Sequence, residues 1–202
     1  MYPITLKIEN RECIVVGGGK IAFYKTKPLV EAGANVTVIS PLICPELKDL
    51  NQTGSVQLVE REVEDLDYDN AFLVIAATDQ PEINRRIFDS LHEHRLVNSV
   101  SDQELSNFHI PATLKRGKLS ISVSTQGASP LLAKKIRNEL SEQFDDSYEE
   151  YLEFLMESRM LIKKIEIGKQ EKRLLFQESL LPKYKDSLKE RSRFLARLIK
   201  RK

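Results

Sequence analysis

Tryptophan is absent from the 202 residues, histidine occurs three times and cysteine twice. Cys13 and Cys44 form no CxxC pair and no histidine stands at metal-ligand spacing, which argues against a zinc site and fits a reducing cytosol. A surplus of one charge is also missing: 31 Lys and Arg against 30 Asp and Glu leave a formal +1. Bulk composition therefore carries no signature of a nucleic-acid or membrane protein. No segment reaches the roughly 20 apolar residues that span a bilayer, and the start MYPITLKIENREC has no basic region followed by a long apolar stretch. The expectation is a cytoplasmic chain with neither membrane nor nucleic acid as partner. Its length suits one large or two small domains, and any function has to come from local pattern.

Short apolar runs alternate with amphipathic stretches from Glu12 to about Ser99. The runs are Cys13-Ile14-Val15-Val16, Val36-Thr37-Val38-Ile39, Val56-Gln57-Leu58-Val59, Phe72-Leu73-Val74-Ile75-Ala76 and Leu96-Val97. They read as strands buried on both faces, with Cys13 as core packing. Helix candidates lie between them at Ile21 to Ala32, Pro45 to Asn51 and Glu82 to Glu93. That series predicts a mostly parallel sheet in a doubly wound half-fold.

The pattern changes past Phe108. His109 to Leu114, a turn at Arg116-Gly117 and the alternating run Lys118 to Ser124 read as an antiparallel hairpin. Ser129-Pro130 supplies an N-cap and a first-turn proline for a helix over Leu131 to Leu140. From Tyr148 onward apolar residues recur at helical spacing, with breaks at Gly168 and Pro182. The last stretch, Lys183 to Lys202, holds nine Lys or Arg against two Asp or Glu, so the near-zero net charge hides a basic end. The fold class is α/β: a Rossmann-type domain over 1–112, a hairpin-plus-helix element over 113–146 that suits dimerisation, and a helical C-terminal subdomain over 147–202.

A strand ending at Val16 runs into Gly17-Gly18-Gly19-Lys20-Ile21-Ala22, which is G-x-G-x-x-A opening a helix. Gly17 permits a tight turn, Gly19 lets the backbone approach a pyrophosphate, and small Ala22 lets helix and strand pack closely. The helix N-terminus offers free N–H groups and a positive dipole to the phosphates. The second strand ends Ile39-Ser40-Pro41-Leu42, with Ser40 able to offer the ribose one neutral hydrogen bond. No arginine follows to take a 2′-phosphate, which favours NAD over NADP. The fourth strand ends Ala76-Ala77-Thr78-Asp79 at the carboxyl edge of the sheet, where Thr78 or Asp79 can meet the cofactor or cap the next helix.

Taken in order, Val15 to Ala22, Glu31-Ala32-Gly33-Ala34, Ala76 to Asp79, Val97-Asn98, Phe108 to Ala112 and Ser124-Thr125-Gln126-Gly127-Ala128-Ser129-Pro130 resemble the precorrin-2 dehydrogenase family. That family includes the amino-terminal part of fused siroheme synthases. The resemblance implies NAD+-dependent oxidation of precorrin-2 to sirohydrochlorin, a homodimer interlocked through the hairpin and following helix, and iron insertion either in the same cleft or by a separate chelatase. The cofactor residues then expected are Gly17, Gly19, Lys20, Ile21, Ala22, Ser40, Pro41, Leu42, Thr78, Asp79 and Asn98. Lys115, Arg116, Lys118, Lys134, Lys135 and Arg137 are candidates for the substrate's carboxylates.

One position departs from the family pattern. The family's acid/base Asp stands three residues after the Asn of Val-Asn, and here that position is Ser101, followed by Asp102. Three readings stay open: Asp102 accepts the proton, hydride transfer proceeds by positioning without a strong base, or the chain binds without turnover. Tyr24 stands where the family often has Arg, and Gln126 adds bulk to a turn where Gly is common. His109 reads as a packed strand residue, and His92 and His94 as residues pointing to different helix faces.

Overall fold

In the computed structural model, which describes residues 1–91 and 95–201, five strands form one parallel sheet. They are β1 (Glu12–Val16), β2 (Asn35–Ile39), β3 (Gln57–Val59), β4 (Leu73–Ala76) and β5 (Leu96–Ser99), in the spatial order β3-β2-β1-β4-β5. The period-2 geometry of a strand divides β1 between two cores. Cys13 and Val15 pack with Ala22, Leu29 and Leu47 on one face, while Ile14 and Val16 pack with Tyr68 and Ile87 on the other. Burial pushes the Cys13 thiol up to about 11, so this cysteine is core, as its strand position implies.

Three helices cover the sheet: α1 (Lys20–Glu31), α2 (Pro45–Gln52) and α3 (Pro81–Ser90). Both α2 and α3 open on a proline, whose missing N–H costs nothing in a first turn. The third helix stops short of the expected Glu93 because Leu91 turns extended, at φ −84 and ψ 137. His92 and His94 lie outside the described residues.

Strand order reverses about β1, since the chain runs outward to β3 and returns to the far side with β4. The carboxyl ends of β1 and β4 therefore flank a crevice where open α/β sheets take ligands. Backbone pairing runs one residue past each strand there: Gly17 N–H donates to Ile39 O (2.9 Å), Ala77 N–H to Val16 O (2.7 Å) and Ser40 N–H to Val59 O (3.1 Å).

The chain forms two compact units, Met1–Ile110 and Pro111–Lys202. The segment read from sequence as a separate hairpin-plus-helix element sits in the second unit with the C-terminal helices. Its strands β6 (Ala112–Arg116) and β7 (Leu119–Val123) pair antiparallel, with Leu114 opposite Ile121 and Lys115 opposite Ser120. Ser129 caps α4 (Pro130–Gln143) by accepting from Leu132 N–H at 3.2 Å. The hairpin turn rests on the start of α5 (Ser147–Lys164): Arg116 pairs with Asp146 at 2.9 Å and Lys118 with Glu153 at 2.7 Å. The Lys118–Glu153 pair crosses the expected boundary at 146, while the Arg116–Asp146 pair lies just within it. Between β7 and α4, Gln126 adopts φ +51, a left-handed strain of about 1 kcal/mol for a non-glycine residue, so its cost is in backbone conformation as well as bulk.

Three further helices, α6 (Lys169–Ser179), α7 (Pro182–Asp186) and α8 (Leu188–Ile199), complete the unit around an aromatic centre. Phe154 stacks on Tyr184 at 5.4 Å and meets Phe194 edge-on at 5.7 Å.

Candidate cofactor-binding site

The three loop glycines do different work. Gly17 has φ +119, and a Cβ there would lie 2.4 Å from Ala77 O. A Cβ on Gly18 would lie 1.9 Å from Leu42 O, and Cys44 N–H donates to Gly18 O at 2.8 Å. Both therefore serve the loop's own packing against β4 and the β2–α2 connection. A Cβ on Gly19 meets nothing within 4 Å, so this glycine leaves open space in front of α1.

That helix begins without a side-chain cap and without an acid in its first turn. Its first internal hydrogen bond is Phe23 N–H to Gly19 O, so the preceding N–H groups are unclaimed by the helix. Uncapped donors, a positive dipole and a glycine-bared approach fit a diphosphate. The cavity here is about 770 Å³, within the range of small-molecule sites. Ile21 and Leu42, 57% and 81% exposed, supply apolar surface at its wall. The residues present thus fit a dinucleotide.

Of the expected cofactor residues, Gly17, Gly19, Lys20, Ile21, Ser40, Pro41, Leu42, Thr78 and Asp79 line this cavity. Ala22 and Asn98 do not. Ala22 is fully buried where α1 packs on the sheet, and Asn98 is buried with its amide donating to Phe108 O at 3.0 Å. Ser40 lines the wall, but its hydroxyl donates to Leu42 O at 2.9 Å and so shapes the turn rather than standing free. The Thr78 hydroxyl bonds Asn84 Oδ1 at 2.8 Å, and neither Thr78 nor Asp79 caps α3, whose N-cap is Gln80.

Sequence reading missed Gly18, Cys44, Lys48, Glu60, Glu62 and Val100 in the lining. Gly18 was discoverable as the middle of a triple glycine. Glu60 and Glu62 follow β3 and reach the cavity only because β3 lies beside β2. Beside the glycine loop, Glu46 sits below the usual carboxylate range, held first by its own N–H at the start of α2, then by the Cys44 thiol and the charge of Lys20.

Neither Ser101 nor Asp102 lines the cavity. Ser101 follows β5, where its Oγ accepts from Asn84 Nδ2 at 3.0 Å and shares a hydrogen bond with Ser99 Oγ at 3.2 Å. Asn84 is fully buried and also bonds Thr78, linking the loops after β4 and β5. Asp102 is an N-cap: Oδ1 accepts from Glu104 N–H at 2.9 Å and opens the 3-10 turn Gln103–Leu105. Among the basic candidates, Arg116, Lys118 and Lys135 are in ion pairs, the last with Glu139 at 3.9 Å.

A family profile described as NAD(P)-binding matches residues 4–112, one for the central part of a sirohaem biosynthesis protein matches 116–143, and one for the SirC C-terminal domain matches 148–194. The precorrin-2 dehydrogenase of Priestia megaterium is 35% identical over 202 residues, all of both chains. That of Bacillus subtilis (strain 168) is 37% identical over 148 residues, 73% of this chain and 91% of that one. A solved structure titled "SirC, precorrin-2 dehydrogenase" superposes with a TM-score of 0.86 at 35% identity, covering 99% of this chain and 100% of the other.

The chain belongs to the precorrin-2 dehydrogenase family.

A siroheme synthase of Thioalkalivibrio sulfidiphilus is 38% identical over 181 residues, but the match covers only 37% of that longer protein. The architecture expected for a precorrin-2 dehydrogenase, a Rossmann-type NAD-binding unit followed by hairpin and helices, holds across this chain. None of its described helices is long and apolar enough to cross a membrane.

Proposed function

We propose that the chain transfers a hydride from precorrin-2 to NAD+, giving sirohydrochlorin and NADH. The full-length correspondence in sequence and fold with precorrin-2 dehydrogenases carries this reading. Bound NAD+ supplies the hydride acceptor. Gly17, Gly19, Lys20 and Ile21 would hold its diphosphate at the start of α1, with Ser40, Pro41, Leu42, Thr78 and Asp79 lining the rest of the cavity. Ala22 acts from beneath, and Asn98 positions the β5 loop through Phe108 O and Ser106 Oγ.

The fate of the second hydrogen follows from Ser101 and Asp102. A serine without an activating partner is a poor base, and the Asp102 carboxylate is engaged at Glu104 N–H. The geometry favours hydride transfer governed by positioning. Loss of hydride leaves the macrocycle electron-poor and its N–H groups acidic, so water suffices to take the proton.

We also infer a homodimer built through β6, β7 and α4, a cytoplasmic setting suited to two free cysteines, and iron insertion by a separate chelatase. Purified protein given precorrin-2 and NAD+ is expected to show rising absorbance at 340 nm with formation of sirohydrochlorin. No rise despite measurable NAD+ binding overturns the assignment.

A further inference from the structure

The usual ribose carboxylate of a dinucleotide fold stands at the end of β2. Here β2 ends in Ser40, Pro41 and Leu42, with no acid, and the Ser40 hydroxyl is turned onto Leu42 O. The neighbouring strand replaces what is missing. Ser40 N–H donates to Val59 O at 3.1 Å, so the end of β3 lies against the end of β2, and the next residues after Val59 bring Glu60 and Glu62 into the cavity wall. In such folds the adenosine lies on the β2 side of the glycine loop.

Both glutamates are exposed and take part in no ion pair among the described residues. Arg61, the cation between them, forms a bidentate pair with Asp67, at 2.7 and 2.6 Å, and donates to the Glu62 backbone carbonyl at 2.8 Å without pairing with either glutamate's carboxylate. The charged side chains that line the cavity are then Lys20 at the glycine loop, Lys48 on α2, Asp79 after β4, and Glu60 and Glu62. After β3 the lining thus holds two carboxylates, with Lys48 the one cation that α2 contributes.

We propose that Glu60 and Glu62 together recognise the 2′-hydroxyl of the adenosine ribose and exclude a 2′-phosphate, making them the residues that set NAD over NADP in this chain. A carboxylate accepts a hydrogen bond from a ribose hydroxyl and repels a phosphate dianion. The carboxylates thus come from the strand next to the usual one, because that strand's end is level with the ribose position. This inference rests on the NAD-dependent reading above.

The test is nucleotide affinity by calorimetry, for NAD+ and NADP+, on the full chain and on E60Q, E62Q and the double variant. Glutamine keeps the size of each exposed side chain, and a thermal melt checks folding. The wild type is expected to bind NAD+ more tightly, and the double variant to narrow the NAD+/NADP+ ratio by about tenfold, mainly by strengthening NADP+. Added salt is expected to narrow the ratio in the wild type and to leave the double variant nearly unmoved. An unchanged ratio in the double variant, or a wild type that does not discriminate, overturns the proposal while the NAD-dependent reading stands. Binding of neither nucleotide by the wild type overturns both.

Discussion

Ser101 and Asp102 are adjacent, yet the fold puts them to different uses. Ser101 joins the buried Asn84 amide at the carboxyl edge of β5, whereas Asp102 turns back to hold Glu104 N–H. Their adjacency was legible in the sequence, and so was the absence of a carboxylate at the third position after Asn98. That neither would line the crevice was not legible, because the Asp102 cap and the Asn84 amide that hold them are set by the fold. Two substitutions separate the roles. Asp102→Asn keeps an oxygen for the cap and removes the charge, so kcat should stay within about twofold; a catalytic base would cost on the order of a hundredfold. Ser101→Asp places a carboxylate where the Asn84 amide can still donate to it. With proton loss left to water and residue 101 outside the cavity lining, it should leave kcat within about twofold and add no acid limb near pH ~4, the ordinary carboxylate value; a rise of about tenfold would show that a protein base limits the rate. Initial rates at 340 nm across pH read both effects.

At the scale of the element, the strand–glycine loop–helix unit couples folding to binding through residues that look alike in the sequence. The motif G-x-G-x-x-A marked the first and third glycines, and its neighbours were legible because each strand is a short apolar run between turn residues. Gly18 was passed over because its constraint comes from Leu42, 24 positions along the chain. The structure predicts opposite phenotypes for two alanine variants. Gly18→Ala drives a Cβ into backbone and should cost more than about 3 kcal/mol in chemical denaturation. Gly19 has ordinary extended dihedrals, φ −85 and ψ −175, with open space around it. Gly19→Ala should therefore change stability by less than about 0.5 kcal/mol while weakening NAD+ at least about tenfold by blocking the diphosphate's approach. A normal NAD+ affinity in Gly19→Ala would remove the diphosphate from this loop.

The molecule as a whole joins a cofactor unit that is complete in its own lining to a second unit with unfinished edges. Every residue of the glycine-loop cavity falls between Val16 and Val100, within the first unit. The hairpin's alternation was legible, with Leu114, Leu119, Ile121 and Val123 directed away from the exposed Thr113, Lys115, Ser120 and Ser122. The approach of Glu60 and Glu62 to the cofactor wall was not, since it follows from strand order and leaves no local pattern. A sheet of two strands has both outer edges unpaired and is marginal alone in water. In the second unit α4 packs against both strands, yet Leu131 and Leu132 remain 79% and 48% exposed. Open strand edges beside uncovered leucines are what a second copy would satisfy through a self-complementary interface. Light scattering is expected to give twice the 23.2 kDa chain mass. Replacing Leu131 and Leu132 together by Glu should return the single-chain mass while leaving NAD+ affinity within about twofold, because the cavity draws on the other unit alone. A wild-type chain that stays monomeric at micromolar concentration would leave those edges without their partner and refute the dimer.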